Sequence, residues 1–130
     1  MATEFAIRRV LKSSYDEALA RVPEALKTEG FGVLTEIDVK DTLKKKIGAD
    51  FRRYKILGAC NPQLALKALS AVTDVGVMLP CNVVVYEGDD HKAVVLGIDP
   101  MQTIATSIPQ LRDLATEVRA KLERALGQLV

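Results

Sequence analysis

Apolar and polar residues alternate with period two in some stretches of this chain and recur every three to four residues in others. The changes of period fall at turn residues, so the elements can be read off in order. From Glu4 to Leu11, Phe5, Ile7 and Leu11 share one face of an extended segment that Arg9 interrupts, which predicts a strand. Ser14 stands three residues before Glu17, the capping-box spacing, and opens a helix whose stripe is Tyr15, Ala18, Leu19, Val22 and Leu26. Pro23 lies inside that pattern, and Gly30 is the expected C-terminal cap. Phe31, Val33, Thr35, Ile37 and Val39 then alternate as a half-buried strand does. Asp38 caps a short helix, Val39 to Ile47, with an apolar ridge of Val39, Leu43 and Ile47, basic residues in its last turn and Gly48 after it. A third strand runs from Phe51 or Arg52 to Cys60.

Asn61-Pro62 reads as a helix start, with Asn as cap and Pro at the first helical position. The buried side expected for this helix is Leu64, Ala65, Ala68, Leu69 and Val72. Two strands, Asn82–Glu87 and Lys92–Ile98, flank the turn Gly88-Asp89-Asp90-His91 and form a hairpin. Ser107, Pro109 and Gln110 (cap, first position, capping-box partner) start the last and longest helix, apolar from Leu111 to Leu129 with a 3.6-residue period. The order does not repeat a βαβ unit throughout, and the hairpin is antiparallel. The expected fold is α+β, with one mixed or antiparallel sheet and the helices packed mainly on one face.

Length and composition narrow the classes. With 130 residues the expectation is one domain, residues 1–130, large enough to fold without a disulfide or metal staple. A net charge of +1 gives no global case for nucleic acid or acidic membranes. No apolar run approaches a membrane span, and MATEFAIRRV lacks the apolar stretch of a signal peptide, so a cytoplasmic protein is expected. Two cysteines, no CxxC and a single histidine, His91, leave too few soft ligands for a zinc site. Glycine-rich phosphate loops are absent, and no acid or serine motif is placed to work with His91, so neither nucleotide hydrolysis nor histidine catalysis has support and no cofactor is implied.

Two features carry candidate chemistry. The first is Cys60-Asn61-Pro62 with Pro80-Cys81-Asn82. Cys60 ends a strand before a helix N-terminus, where a thiolate is favoured, and Cys81 begins another strand. A chain path that returns through Val75 to Leu79 brings both thiols to the same edge. There they would suit a redox couple, a sulfur-relay nucleophile, or a small-ligand pocket with Asn61 and Asn82 as donors. The alternative is that both cysteines are small buried hydrophobes and Asn61 is only a cap. The second feature is the segment Lys40 to Lys55, where seven basic residues face two acids and Phe51 and Tyr54 are interleaved. It reads either as a solvated helix face or as a surface that meets the acid-rich Asp74 to Asp99 stretch across a subunit interface. No nucleic-acid recognition motif accompanies it, which argues against nucleic acid.

Gly58-Ala59-Cys60-Asn61-Pro62, then Leu79-Pro80-Cys81-Asn82-Val83-Val84-Val85-Tyr86-Glu87, then Ile98-Asp99-Pro100 resemble the domain of unknown function 302 family over nearly the whole chain. The resemblance implies an α+β domain with a TATA-binding-protein-like outline, often dimeric, and no established activity. It places the family's best candidate site at Cys60, Asn61, Pro62, Pro80, Cys81 and Asn82. The leading expectation is a homodimer that binds a small ligand, or performs thiol chemistry, at a pocket edged by Cys60 and Cys81. The alternative is a non-catalytic interaction module in which both cysteines are structural.

Overall fold

The computed structural model describes residues 5–130. Five strands form one antiparallel sheet in the order β1-β5-β4-β3-β2: β1 Ala6–Ser14, β2 Gly32–Asp38, β3 Tyr54–Cys60, β4 Cys81–Glu87 and β5 Lys92–Ile98. The α-helices are α1 Tyr15–Lys27, α2 Val39–Ile47, α3 Pro62–Ala71 and α4 Pro109–Gly127. Three 3-10 turns, Thr73–Met78, Pro100–Gln102 and Ile104–Ser107, complete the described elements. The fold is α+β, as the periodicity predicts.

Register shows which side chains share a face. Leu57 pairs with Val83 and Val85 with Val95, so these residues point one way, and all are buried against Val22, Leu26, Leu122 and Leu126 of α1 and α4. The long stripes of α1 and α4 cover this face because each is wide enough to lie on a sheet. Arg9, the polar break in the first strand, points to the same side. Its guanidinium donates to the carbonyls of Leu126 and Leu129, both at 2.8 Å, and so closes the C-terminal end of α4.

Local capping follows the sequence at three helices. Ser14 and Glu17 form both arms of the capping box on α1. Asp38 accepts from the Asp41 N–H at 2.9 Å, and Asn61 accepts from the Leu64 N–H at 3.3 Å. At α4 the expectation fails. Ser107 falls inside the preceding 3-10 turn, and the extended Ile108 becomes the N-cap with no side-chain bond. Gly30 does not follow α1 directly. The C-cap is Thr28, and Gly30, at φ 86°, turns the chain so that the Phe31 N–H reaches the Leu26 carbonyl at 3.0 Å.

The first strand starts at Ala6 and continues to Ser14, and Phe5 lies exposed outside it; the expected start at Glu4 falls outside the described residues. The third strand starts at Tyr54, later than Phe51 or Arg52. The greater difference is in burial. β2 is an edge strand with an irregular register between Val33 and Thr35, and most of it is exposed. No residue of α2 is buried, and Ile47, on its expected ridge, is 73% exposed. Alternation alone cannot tell an edge strand from a half-buried central one.

Candidate functional site

At one end of the sheet, beside α3, the apolar layer does not close. Along α3 only Leu64 is buried; Ala65 and Ala68, expected in the core, are half-exposed, and Leu69 is exposed. The reason is a cavity of about 380 Å³. One wall is Leu64, Ala65 and Ala68 of α3, and the opposing helix contributes Leu111, Leu114, Ala115 and Val118 of α4. Val75, Val77 and Met78 come from the 3-10 turn after α3. The strand ends supply Ala59, Cys60, Cys81, Asn82 and Ile98, with Asn61 and Pro80 beside them. Three of the facing helix residues are alanines (Ala65, Ala68 and Ala115), so α3 and α4 approach without filling the space between them.

All six candidate residues gather at this end of the fold, but in different roles. Cys60, Asn61, Pro80, Cys81 and Asn82 line the cavity, while Pro62 occupies the first turn of α3. The expectation of a cysteine pair is corrected. Cys81 registers against Ala59, and Cys60, the next residue along β3, alternates to the other side of the strand, so the thiols do not stand together. Both are free. Burial pushes the Cys81 thiol up to about 11, with a smaller contribution from Cys60, so at neutral pH Cys81 is a neutral thiol.

Asn61 is tied into the structure from both ends of its side-chain amide. Beyond its cap bond, its amide donates to the Glu29 carbonyl at 3.1 Å, which ties the α1–β2 loop to the start of α3. A Cβ at Gly30 would lie 2.9 Å from the same amide nitrogen, so a small residue there lets Asn61 reach across. Gly58 is the counterpart in β3. A Cβ there would meet the Thr35 hydroxyl and come within 2.7 Å of Cγ of Pro80, so the pyrrolidine ring lies directly over the strand backbone. The Gly58–Pro62 stretch is therefore a packing unit that sets the rim of the cavity. Asn82 is exposed, and its side chain makes no hydrogen bond among the described residues.

The charged residues around the cavity are satisfied elsewhere. Asp99, 5% exposed, accepts from the Met101 N–H at 2.9 Å and pairs with the Arg119 guanidinium at 3.1 Å. Five of the seven basic residues of the Lys40–Lys55 segment are ion-paired within the chain. Lys44 pairs with Asp50, Lys45 with Asp41, Arg52 with Asp89, Lys55 with Glu36, and Arg53 with both Asp16 and Glu87. Lys40 donates to the Phe51 carbonyl. The basic segment and the acid-rich stretch thus meet inside one chain, at Arg52–Asp89 and Arg53–Glu87. His91 sits in the hairpin turn at φ 64° with its side chain exposed, its Nδ1 3.9 Å from the Glu87 carboxylate. No group of three metal-ligating side chains is present among the described residues.

The α4 and 3-10 walls of the cavity carry no motif that marks them as site residues. Their only signal was the run of small residues on the α3 and α4 stripes, where a tightly packed core would carry larger ones.

No curated protein matches the chain. Among solved structures, the crystal structure of an uncharacterized conserved protein DUF302 from Bacillus stearothermophilus superposes with a TM-score of 0.90 at 31% identity, covering 98% of this chain and all of that one. The family model for domain of unknown function DUF302 matches residues 7–129. The rim motifs, the fold and both comparisons agree, and the chain belongs to the DUF302 family.

Proposed function

We propose that this protein is a small-molecule-binding domain whose ligand occupies the cavity between α3, α4 and the ends of β3, β4 and β5. The observation that carries the reading is the cavity, whose volume of about 380 Å³ lies in the range of small-ligand sites. Binding is favoured over thiol chemistry because Cys81 is held protonated and the two cysteines do not form a couple. Unpaired cysteines suit a reducing compartment, the cytoplasm, and among the described residues no helix is long and apolar enough to cross a membrane. The test is fluorescence titration with N-phenyl-1-naphthylamine, an uncharged probe that brightens in apolar sites. Wild-type protein is expected to bind it at micromolar concentration, and Ala68→Trp, which projects into the cavity from a half-exposed position, is expected to weaken binding at least about tenfold. Equal binding by a folded Ala68→Trp overturns the assignment.

A second observation supports a homodimer through the face of the sheet that no helix covers. Register sets Arg8, Leu96, Val84, Ile56 and Ile37 in one row across the five strands, and the rings of Tyr54 and Tyr86 stack at 5.4 Å beside it. Val10 and Ile37 are 57% and 49% exposed. A depression of about 410 Å³ on this face, between Arg8, Tyr54, Tyr86 and Ile98, belongs to the same surface. Strands about 4.8 Å apart and about 3.3 Å per residue give the face roughly 550 Å² in projection. With side-chain relief, that approaches the roughly 800 Å² per partner of a standard interface. A mainly apolar surface, with Arg8 on its edge strand, fits a second copy related by a two-fold axis. Sedimentation velocity at micromolar concentration is expected to give about 28 kDa, twice the 14.2 kDa of the chain, and Val84→Glu to return it to monomer. A wild-type monomer overturns the dimer and leaves the cavity reading intact. It would also favour a different role for the open face, as a docking surface in a non-catalytic interaction module with both cysteines structural.

A further inference from the structure

Resting on the ligand-binding reading above, we propose that the molecule held in the cavity is uncharged and mainly apolar, as in a medium-chain alcohol, aldehyde or amide and not a carboxylate, phosphate or amine. Among the described residues no Asp, Glu, Lys, Arg or His lines the cavity. An ion placed there without a partner loses its hydration and gains nothing in return, which is among the most costly events in a protein interior.

The polar groups that do reach the cavity are mostly spent. The Asn61 carbonyl accepts from the Leu64 N–H and its amide donates one N–H to the Glu29 carbonyl, which leaves a second N–H, a neutral donor. The Thr103 hydroxyl donates to the Pro100 carbonyl at 2.7 Å and accepts from the Ala105 N–H at 3.2 Å. The carboxylate of Asp99, next in sequence to the lining residue Ile98, is committed to Arg119 and the Met101 N–H. The N-terminus of α3 opens beside the cavity and would attract an anion, but its Leu64 N–H is the one that Asn61 already holds. Asn82 alternates with Cys81 and Val83 along β4 and so shares the open sheet face with Val84, where it borders the shallow depression, and it brings no charge to the cavity. Both thiols are weak partners that tolerate an apolar neighbour.

The test is displacement of N-phenyl-1-naphthylamine at pH 8 by 1-decanol, decanoate and decylamine, which share a chain and differ in the charge of the head. Decanol is expected to displace the probe at a concentration at least about tenfold below that of either ion. Ala68→Lys, which places an ammonium in the α3 wall, is expected to move the preference toward decanoate by at least about tenfold. Decanoate binding to the wild type as tightly as decanol, or an unchanged preference in folded Ala68→Lys, overturns the neutral-ligand inference while leaving the cavity as the site. Absence of probe binding altogether overturns the site, and this inference with it.

Discussion

Replacing Gly58 by alanine tests whether the rim of the cavity is built as described. The added methyl would stand 2.7 Å from Cγ of Pro80 and in collision with the hydroxyl of Thr35, and neither neighbour is the far end of a flexible chain. Thr35 is branched at Cβ and Pro80 is a closed ring, so relief requires a backbone shift in β2, β3 or the start of β4. Overpacking of this kind costs about 1–3 kcal/mol. For a chain of this size each kcal/mol moves the melting temperature by roughly 3–5 °C, so Gly58→Ala is expected to melt roughly 3–15 °C below wild type. Because two contacts contribute, Thr35→Ala in the Gly58→Ala background is expected to recover part of the loss and not all of it, a coupling that a double-mutant cycle reads directly. Differential scanning calorimetry on the four proteins is the assay. A Gly58→Ala protein that melts within 1 °C of wild type, or a cycle with no coupling between positions 35 and 58, refutes the packing argument.

Three further predictions concern other parts of the fold. Iodoacetamide should leave Cys81 unmodified in native protein at pH 8 and modify it only as pH approaches about 11, while in denaturant it should react near the ordinary thiol range; rapid native labelling of Cys81 at pH 8 contradicts its burial. Because that thiol is favoured in its protonated form by folding, its contribution to stability is present below about pH 9 and is lost between about 9 and 11. Arg9→Met keeps the stem and removes both bonds to the α4 carbonyls, and should lower stability by about 2–3 kcal/mol in denaturant unfolding; no change would mean that the end of α4 needs no cap. Arg53 beside Glu87 holds its carboxyl below the usual carboxylate range, so the ion pair stabilises the fold above that range and is lost as pH falls through it. The acid limb of the stability curve should therefore be shallower in Arg53→Met than in wild type.

The parts of this fold visible in the sequence are those fixed within a few residues. Ser14 with Glu17, Asp38 before α2, Asn61 with Pro62, and the hairpin around Gly88 to His91 all depend on local hydrogen bonds or turn geometry. The failures come from distance. Whether β2 is buried depends on its place at the sheet edge, which no periodicity encodes. The cap expected at Ser107 was lost because a 3-10 turn took that residue first. The cysteine site was half legible. Cys60 and Cys81 reach one cavity, but their separation follows from the register of Ala59 against Cys81, which is set by the whole β3–β4 pairing. The α4 wall was invisible for the same reason, since Leu111 and Ala115 read equally well as a solid core stripe.

The most direct test of the central claim is to locate the bound probe. In amide and methyl NMR spectra titrated with N-phenyl-1-naphthylamine, the account predicts shifts concentrated at Leu64, Ala65, Ala68, Val75, Cys81 and Ala115, the residues that enclose the cavity. Shifts centred instead on Ile56, Val84 and Leu96 of the open sheet face, with α3 and α4 undisturbed, would contradict it.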